Sequence, residues 1–478
     1  MDEVVKDKTM TNLIKNSTIY ALGDILPRLL SFITFPILTN YLTPAEYGII
    51  NYVNTLNLFL IIVSVLCLNT YYLVYFYKQP NEEHQKQLLG NLSLFILIST
   101  TIISIITFII GFYTNILNSE GMPFFPYITI GILINFFSIF QILPSALYRL
   151  QERPLPLTII NIIKGILTAS ITLFLVIFHS YKALGVLMSS LIVNILFAFI
   201  FLYITYKHAI FNFNFKQIKN ALKFSLPLLP GSIAYYLLNM SDRIIIKDIL
   251  DLNSLGIYST ASTLALLLNI ITMGAYKAFE PYIFKIYGNP SFEMQFKKIF
   301  NTYLFVLIIG ASALALFSRE FFIIFSSEKF HEAYKYVPVI LIGLISSSIS
   351  IIYGTVITAR ERTKISSLIS IIGGCCSVVL NIILVPLIGI WGACTSSLIC
   401  FTAMAYASYY FSKVRFDTNN IIKYILLIIL IWYFAIFIIN IEIITISIIV
   451  KTVIFSVIIV TYNFLLKINI KQYIWKNI

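Results

Sequence analysis

The run Asn239-Met-Ser-Asp242-Arg243-Ile-Ile-Ile-Lys247 sets an acid beside a base inside an apolar stretch that extends over residues 225–250. A charge at bilayer depth costs about 2.5–3.5 kcal/mol on the insertion scale, so such groups face protein or a wet cavity. Two readings of the pair are open: a neutralised couple that fixes helix packing, or the lining of a polar interior. A second pair has the same character, since Asp24 and Arg28 stand one turn apart, on one face of the first apolar run. Lys164 lies well inside a third run. Arg28, Arg243 and Lys164 are therefore three cations at membrane depth against Asp24 and Asp242, and the chemistry such a set offers is the recognition of an anion. Lys277 and Glu280, three residues apart, are spaced to pair across a turn near the end of a further run, or to reach headgroups by snorkelling. Lys451 stands in the last run and is given no role.

The elements that must carry these charges follow from composition. Of 478 residues, 59% are hydrophobic and 11% charged, where a soluble chain carries about 25% charged residues. Mean hydropathy is +0.91. The class is all-α and polytopic, with membrane lipids as its surroundings. The formal charge of +13 sits between apolar runs, where anionic headgroups explain it, so no nucleic acid is expected as a partner. No secretory signal is read at the start, because residues 1–17 are polar and the first apolar run has no small-residue cleavage site. The five cysteines all lie in apolar runs without C-x-x-C or Cys/His spacing, so no metal site is expected.

Apolar runs of about twenty residues, the length that crosses about 30 Å of hydrocarbon, recur about fourteen times. They begin with residues 18–41 and 50–75 and end with 421–439 and 443–466. Alternate connections hold nearly all of the Lys and Arg residues, which by the positive-inside rule places those connections and both termini in the cytoplasm. Amphipathic joints are expected on that side at residues 212–223 and 293–300. Pro27, Pro36, Pro144, Pro227, Pro230, Pro281 and Pro338 fall within runs and are read as bends.

An internal repeat organises the chain. Gln151-Glu152-Arg153 recurs as Arg360-Glu361-Arg362 at an offset of 209, and Leu175-Val176 recurs as Leu384-Val385 at the same offset. The run from Gly185 to Ile192 matches that from Gly392 to Ile399 at 207, and Gly48-Ile49 matches Gly256-Ile257 at 208. A charged loop motif is not a product of hydrophobicity, so duplication is the reading. Each unit holds six spans, an even number, which implies two six-helix lobes related by a pseudo-two-fold axis along the membrane normal. The expected division is residues 1–206 for the first lobe, 207–224 for a cytoplasmic linker, 225–412 for the second lobe and 413–478 for two extra helices and a tail.

The segments from Ser17 to Arg28 and from Leu38 to Gly48, together with Asn239-Met-Ser-Asp-Arg-Ile-Ile245 and Glu328-Lys-Phe-His-Glu-Ala-Tyr-Lys-Tyr-Val-Pro338, resemble Wzx-type polysaccharide biosynthesis proteins. These are lipid-linked oligosaccharide flippases of the multidrug/oligosaccharidyl-lipid/polysaccharide exporter superfamily. The resemblance covers residues 17–412 and implies a cationic cavity between the lobes of a protein in the bacterial cytoplasmic membrane. It implies movement of an undecaprenyl-diphosphate-linked glycan (O-antigen, capsule or exopolysaccharide) to the outer leaflet. It also implies coupling to a proton or sodium gradient without a resident cofactor, and other polysaccharide assembly proteins as further partners. Arg28, Arg243 and Lys164 would then bind the diphosphate, which suits the two parallel hydrogen bonds of a guanidinium. Asp24 and Asp242 would hold those cations in the empty cavity or carry a coupling proton. A cation-coupled drug exporter of the same superfamily is the alternative. A membrane polymerase or ligase fits less well, because no large outer loop or clustered acid/base site is present, and the chain is not expected to be an enzyme.

Overall fold

A computed structural model describes residues 23, 26–27, 29–114, 121–415, 432–433 and 444–466, and every regular element among them is helical. Eleven helical stretches are long and apolar enough to cross a membrane, and two shorter apolar helices, Leu29–Tyr41 and Ile444–Val460, accompany them. The expected span at 421–439 lies almost wholly outside the described residues. Helices are the form that hydrocarbon imposes, because each satisfies its own backbone. Along Glu82–Thr114 the side chains of Ile98, Ile102, Ile105 and Ile109 are exposed at helical spacing, as a face turned to acyl chains would be.

The chain divides into two compact units, Met1–Tyr236 with Asp251–Gly256, and Leu237–Leu250 with Ile257–Ile478. The first contains α1 (Leu29–Tyr41), α2 (Pro44–Val65), α3 (Leu68–Tyr75), α4 (Glu82–Thr114), α5 (Thr129–Ser138), α6 (Ile142–Leu150), α7 (Pro154–Ile177), α8 (Lys182–His208) and α9 (Phe215–Ser225). The α1–α2 junction owes its form to the run Thr43-Pro44-Ala45-Glu46. The Thr43 hydroxyl accepts from the Glu46 N–H at 3.2 Å, Glu46 returns a carboxylate oxygen to the Thr43 N–H at 2.7 Å, and Pro44 opens the helix. The single span expected at 50–75 is two helices, because Leu66 and Cys67 both take left-handed backbone angles.

The next elements are α10 (Leu229–Ile249), α11 (Leu252–Ala265), α12 (Leu267–Ile286), α13 (Phe292–Leu316), α14 (Ser318–Phe325), α15 (Val337–Ala359), α16 (Thr363–Ile388), α17 (Ile390–Ser412) and α18 (Ile444–Leu466). The separate surface helix expected at 293–300 does not form: it is the first part of α13, with Phe296 and Phe300 buried against Tyr353. Of the prolines read as bends, Pro338 instead occupies the first turn of α15, where the absent N–H has no helical partner in any case. Pro227 and Pro230 fall within the helical stretch Phe215–Ile249, at and just after the 3-10 turn Leu226–Leu228 that joins α9 to α10, where a break in the α-helical ladder is expected.

The backbone repeats where the sequence does. Gln151 and Arg360 donate to Leu147 and Val356, Glu152 and Glu361 to Arg149 and Thr358, and Arg153 and Arg362 to Tyr148 and Ile357. Glu152 (φ 54°) and Glu361 (φ 59°) are both left-handed, although glutamate has no intrinsic taste for that region. Equivalent hydrogen bonds around two unusual residues, all at the offset of 209, are the mark of one ancestral turn copied twice. The second matched segment behaves likewise, with Gly185 against Leu175 and Gly392 against Leu384. Gly48 and Gly256 answer each other directly: a Cβ on Gly48 would stand 2.1 Å from the Leu252 carbonyl oxygen, and one on Gly256 only 1.8 Å from that of Pro44. Neither position has room for a side chain.

Lys451 is 1% exposed, and both its bonds go to Glu320 of α14, at 2.7 and 2.8 Å, with Ser447 donating to the same carboxylate at 2.6 Å. This lysine, given no role from sequence, locks α18 to the second unit. Trp432 adds a bond from its indole N–H to Ser312 at 3.1 Å. Removing one partner of a buried pair strands the other, at a cost of about 3–5 kcal/mol. Lys451→Met or Glu320→Met alone should therefore lower the detergent melting temperature sharply, while the double Met variant should recover most of the loss. Gly256→Ala should lower folded yield in size-exclusion profiles, because the carbonyl it meets belongs to backbone and has no rotamer to escape into.

Candidate functional site

Asp242 and Arg243 lie in α10, the acid 5% exposed. One carboxylate oxygen of Asp242 accepts from the Arg243 backbone N–H at 2.8 Å and from Arg243 Nη1 at 3.3 Å. The other accepts the phenol proton of Tyr258, from α11. Arg243 Nη1 also donates to the Asn239 carbonyl at 2.9 Å, and the guanidinium carbon lies 5.8 Å from the centroid of the Tyr258 ring. The acid is thus fully engaged, while the base is held by one corner of its fork. Both border a cavity of about 100 Å³ in the second unit, which Asn239, Ser262, Asn269 and Ser397 also line. That is room for several waters or a small polar group.

Beside this cavity is a second polar cluster with no formal charge. Ser241 meets Ser377 at 3.4 Å, Ser396 donates to the Ser377 carbonyl at 3.3 Å, and Asn381 donates to the same carbonyl at 2.9 Å. Ser377, Asn381 and Ser396 are buried. Interhelical bonds of this kind, from α10 to α16 and from α17 to α16, hold membrane helices together where no hydrophobic force distinguishes helix from lipid.

Lys164, in α7 of the first unit, has its ammonium held by two amides. It donates to Gln141 Oε1 at 2.6 Å and to Asn194 Oδ1 at 3.1 Å, and Gln141 passes its own amide proton to Asn161 at 3.2 Å. Among the described residues no carboxylate comes within ion-pair range of it, and two of its three N–H donors are engaged. The next residue, Gly165, lets Pro27 pack against α7, with 3.2 Å between the Pro27 Cβ and the place a Cβ would occupy.

Asp24 and Arg28, the remaining members of the expected set, lie outside the described residues. Lys277 and Glu280 do not pair. Glu280 accepts instead from the Tyr276 hydroxyl at 2.7 Å, which also meets Thr355 at 3.0 Å, while Lys277 is exposed. A phenol on the same face at i,i+4 reaches the carboxylate and leaves the ammonium to solvent or headgroups.

The residues that sequence reasoning passed over are the neutral partners: Tyr258, Gln141, Asn194 and the Ser241–Ser377–Asn381–Ser396 cluster. A search for ions does not find them. The available signal was the presence of amides, at 141, 161 and 194, inside otherwise apolar runs.

The family model described as "Polysaccharide biosynthesis protein" matches residues 13–287, and the MatE model matches residues 227–387. A capsular polysaccharide biosynthesis protein, CapF, of Staphylococcus aureus is 24% identical over 421 residues, covering 84% of this chain and 99% of the relative. The Lsg locus putative protein 1 of Haemophilus influenzae is 26% identical over 290 residues, covering 57% of this chain and 66% of its own length. Among solved structures, the lipid II flippase MurJ in an inward closed conformation superposes with a TM-score of 0.75 at 14% identity, covering 93% of this chain and 98% of that one. An inward-facing multidrug resistance MATE transporter gives 0.65 at 11% identity, with 82% and 97% covered. A multi-pass helical chain of this architecture, more than half of which the family model spans, belongs to the polysaccharide biosynthesis protein family and has the MurJ/MATE transporter fold.

Proposed function

We propose that the protein is a flippase that carries undecaprenyl-diphosphate-linked oligosaccharide from the cytoplasmic to the outer leaflet of the bacterial cytoplasmic membrane, with both termini in the cytoplasm. The observation that carries this reading is the state of Arg243. Its Nη1 is tied to Asn239 and Asp242, the residue borders the cavity, and among the described residues Nη2 and Nε have no bond. Those two nitrogens are the edge that forms parallel bonds to two oxygens of one phosphate. Asp242 offsets the charge when no anion is present, so the site tolerates both the loaded and the empty state.

Lys164, with two of its three donors engaged among the described residues, is a second point of contact, and Arg28 a third. A translocated diphosphate needs several such stations, because a dianion taken from water must be met wherever it pauses. Asp242 and Asp24 are the groups for a coupling proton, and a sodium gradient is the other source of drive. The relative named for capsular polysaccharide biosynthesis supports a surface glycan as the cargo. The MatE match and the MATE neighbours support a second reading, export of drugs coupled to a cation.

Arg243→Ala and Arg28→Ala should each abolish complementation of a flippase-deficient strain while membrane abundance stays normal; full activity in both would remove the anion-site argument. Arg243→Lys keeps the charge and loses the fork, so its flipping rate should fall by about 10- to 100-fold, the worth of one charge-assisted bond. A deletion strain with unchanged surface polysaccharide and raised drug sensitivity would favour the second reading.

A further inference from the structure

A cleft of about 370 Å³ opens in the first unit between the end of α3, the start of α4 and the start of α9. It lies among the Lys- and Arg-rich connections that the positive-inside rule assigns to the cytoplasm. Six of the nine side chains that line it are neutral amides: Gln79, Gln87, Asn212, Asn214, Gln217 and Asn220. None is a carboxylate, and Lys216 is the one permanent charge. A metal cation would want carboxylates, a polyanion more than one cation, and an apolar partner carbon surface. Side-chain amides each offer donors and an acceptor, the complement of hydroxyl groups that both donate and accept.

The amides are held in place from behind. Asn91 of α4 is fully buried, and its side chain accepts from the Asn214 backbone N–H at 3.2 Å. It also donates to the Asn214 carbonyl at 3.1 Å and to Gln217 Oε1 at 2.7 Å. Asn214 in turn caps α9 by accepting the Gln217 N–H at 3.1 Å. Gly90 lets the chain come close, since a Cβ there would stand 2.2 Å from the Ile210 carbonyl oxygen, and Ile210 donates to Lys86 at 3.0 Å. Ile218 and Ala221 are buried beneath. An asparagine buried this deeply is costly unless every bond is made, and here its bonds set the orientation of one wall.

The same bonds engage opposite ends of two lining amides. Gln217 uses its oxygen for Asn91, whereas Gln79 uses its NH₂ group for the Tyr75 carbonyl at 3.0 Å. The Gln217 NH₂ group and the Gln79 oxygen, on separate elements, have no bond among the described residues. The geometry points to a saccharide-binding cleft, separate from the Asp242–Arg243 cavity, that takes the hydroxyl-rich sugars of the glycan on the side from which it enters. The identity of that glycan rests on the flippase reading; the carbohydrate chemistry of the cleft does not.

The test uses the full chain in lipid nanodiscs and, as probe, the oligosaccharide repeat released by acid from the host's own surface polysaccharide. Saturation-transfer NMR should show contact with sugar ring protons. The signal should weaken by at least about fivefold in Gln79→Ala/Asn220→Ala, and stay unchanged in Lys219→Ala, an exposed neighbour outside the cleft. Both substituted residues of the double variant are at least partly exposed, and equal melting temperatures check the fold. Absence of transfer to wild type, or equal transfer to the double variant, overturns the proposal. Displacement of the sugar by millimolar inorganic phosphate, abolished in Lys216→Ala, overturns it too by making the cleft an anion site. Sugar contact retained in Arg243→Ala, with complementation lost, separates the cleft from the anion site. Sugar contact by a wild-type chain that fails to complement the flippase-deficient strain would sink the flippase reading alone.

Discussion

Hydrocarbon offers no hydrogen-bond partner, so each polar group carried to membrane depth must find one inside the protein. The described charges obey this by different means. Asp242 is met by a guanidinium, a backbone N–H and a phenol; Lys164 by two amide oxygens; Lys451 by a carboxylate that a serine also serves. The completeness of the partnership separates their roles. Lys451 and Glu320 satisfy each other with nothing left over, which suits a clamp. Among the described residues Arg243 bonds through Nη1 alone and Lys164 to neutral amides alone, so neither is matched as completely.

Duplication supplied the frame and divergence supplied the chemistry. The turn at Glu152 and its copy at Glu361 keep the same three hydrogen bonds, and the glycines at 185 and 392 keep the same leucine neighbours. The position of Lys164 has changed. Its counterpart Gly373 packs so closely on Met404 that a Cβ would stand 2.5 Å from the sulfur. The same helical site is thus a polar station in one unit and a close helix contact in the other. A chain that kept lysine in both copies would have to solvate both.

The segment that joins the two repeats of sequence illustrates how a linker acquires structure. Its composition, with lysines at 216, 219 and 223 and apolar residues between them, marks an amphipathic helix, and α9 is one. Its docking onto α4 depends on Asn91 and Gly90, which are more than a hundred residues away in sequence and lie inside an apolar run. Nothing in local periodicity ties them to the linker.

Composition, span length and charge bias were enough to establish a helical multi-pass membrane chain, because hydrocarbon permits so few alternatives. Repeated motifs disclosed the duplication, because a turn with left-handed glutamates tolerates few sequences and so keeps its residues. Charges at membrane depth marked Asp242, Arg243 and Lys164 as polar stations, since the cost of placing them there makes them rare. Tertiary structure alone decided who meets whom. It gave Asp242 to Tyr258, Glu280 to Tyr276 and Lys451 to Glu320, merged residues 293–300 into a long helix, and put the proline at 338 at a helix start. It also gathered six scattered amides into one cleft. Each of these is a matter of distance between residues remote in the chain, and neutral hydrogen-bonding groups carry no sequence signal strong enough to reveal their partners.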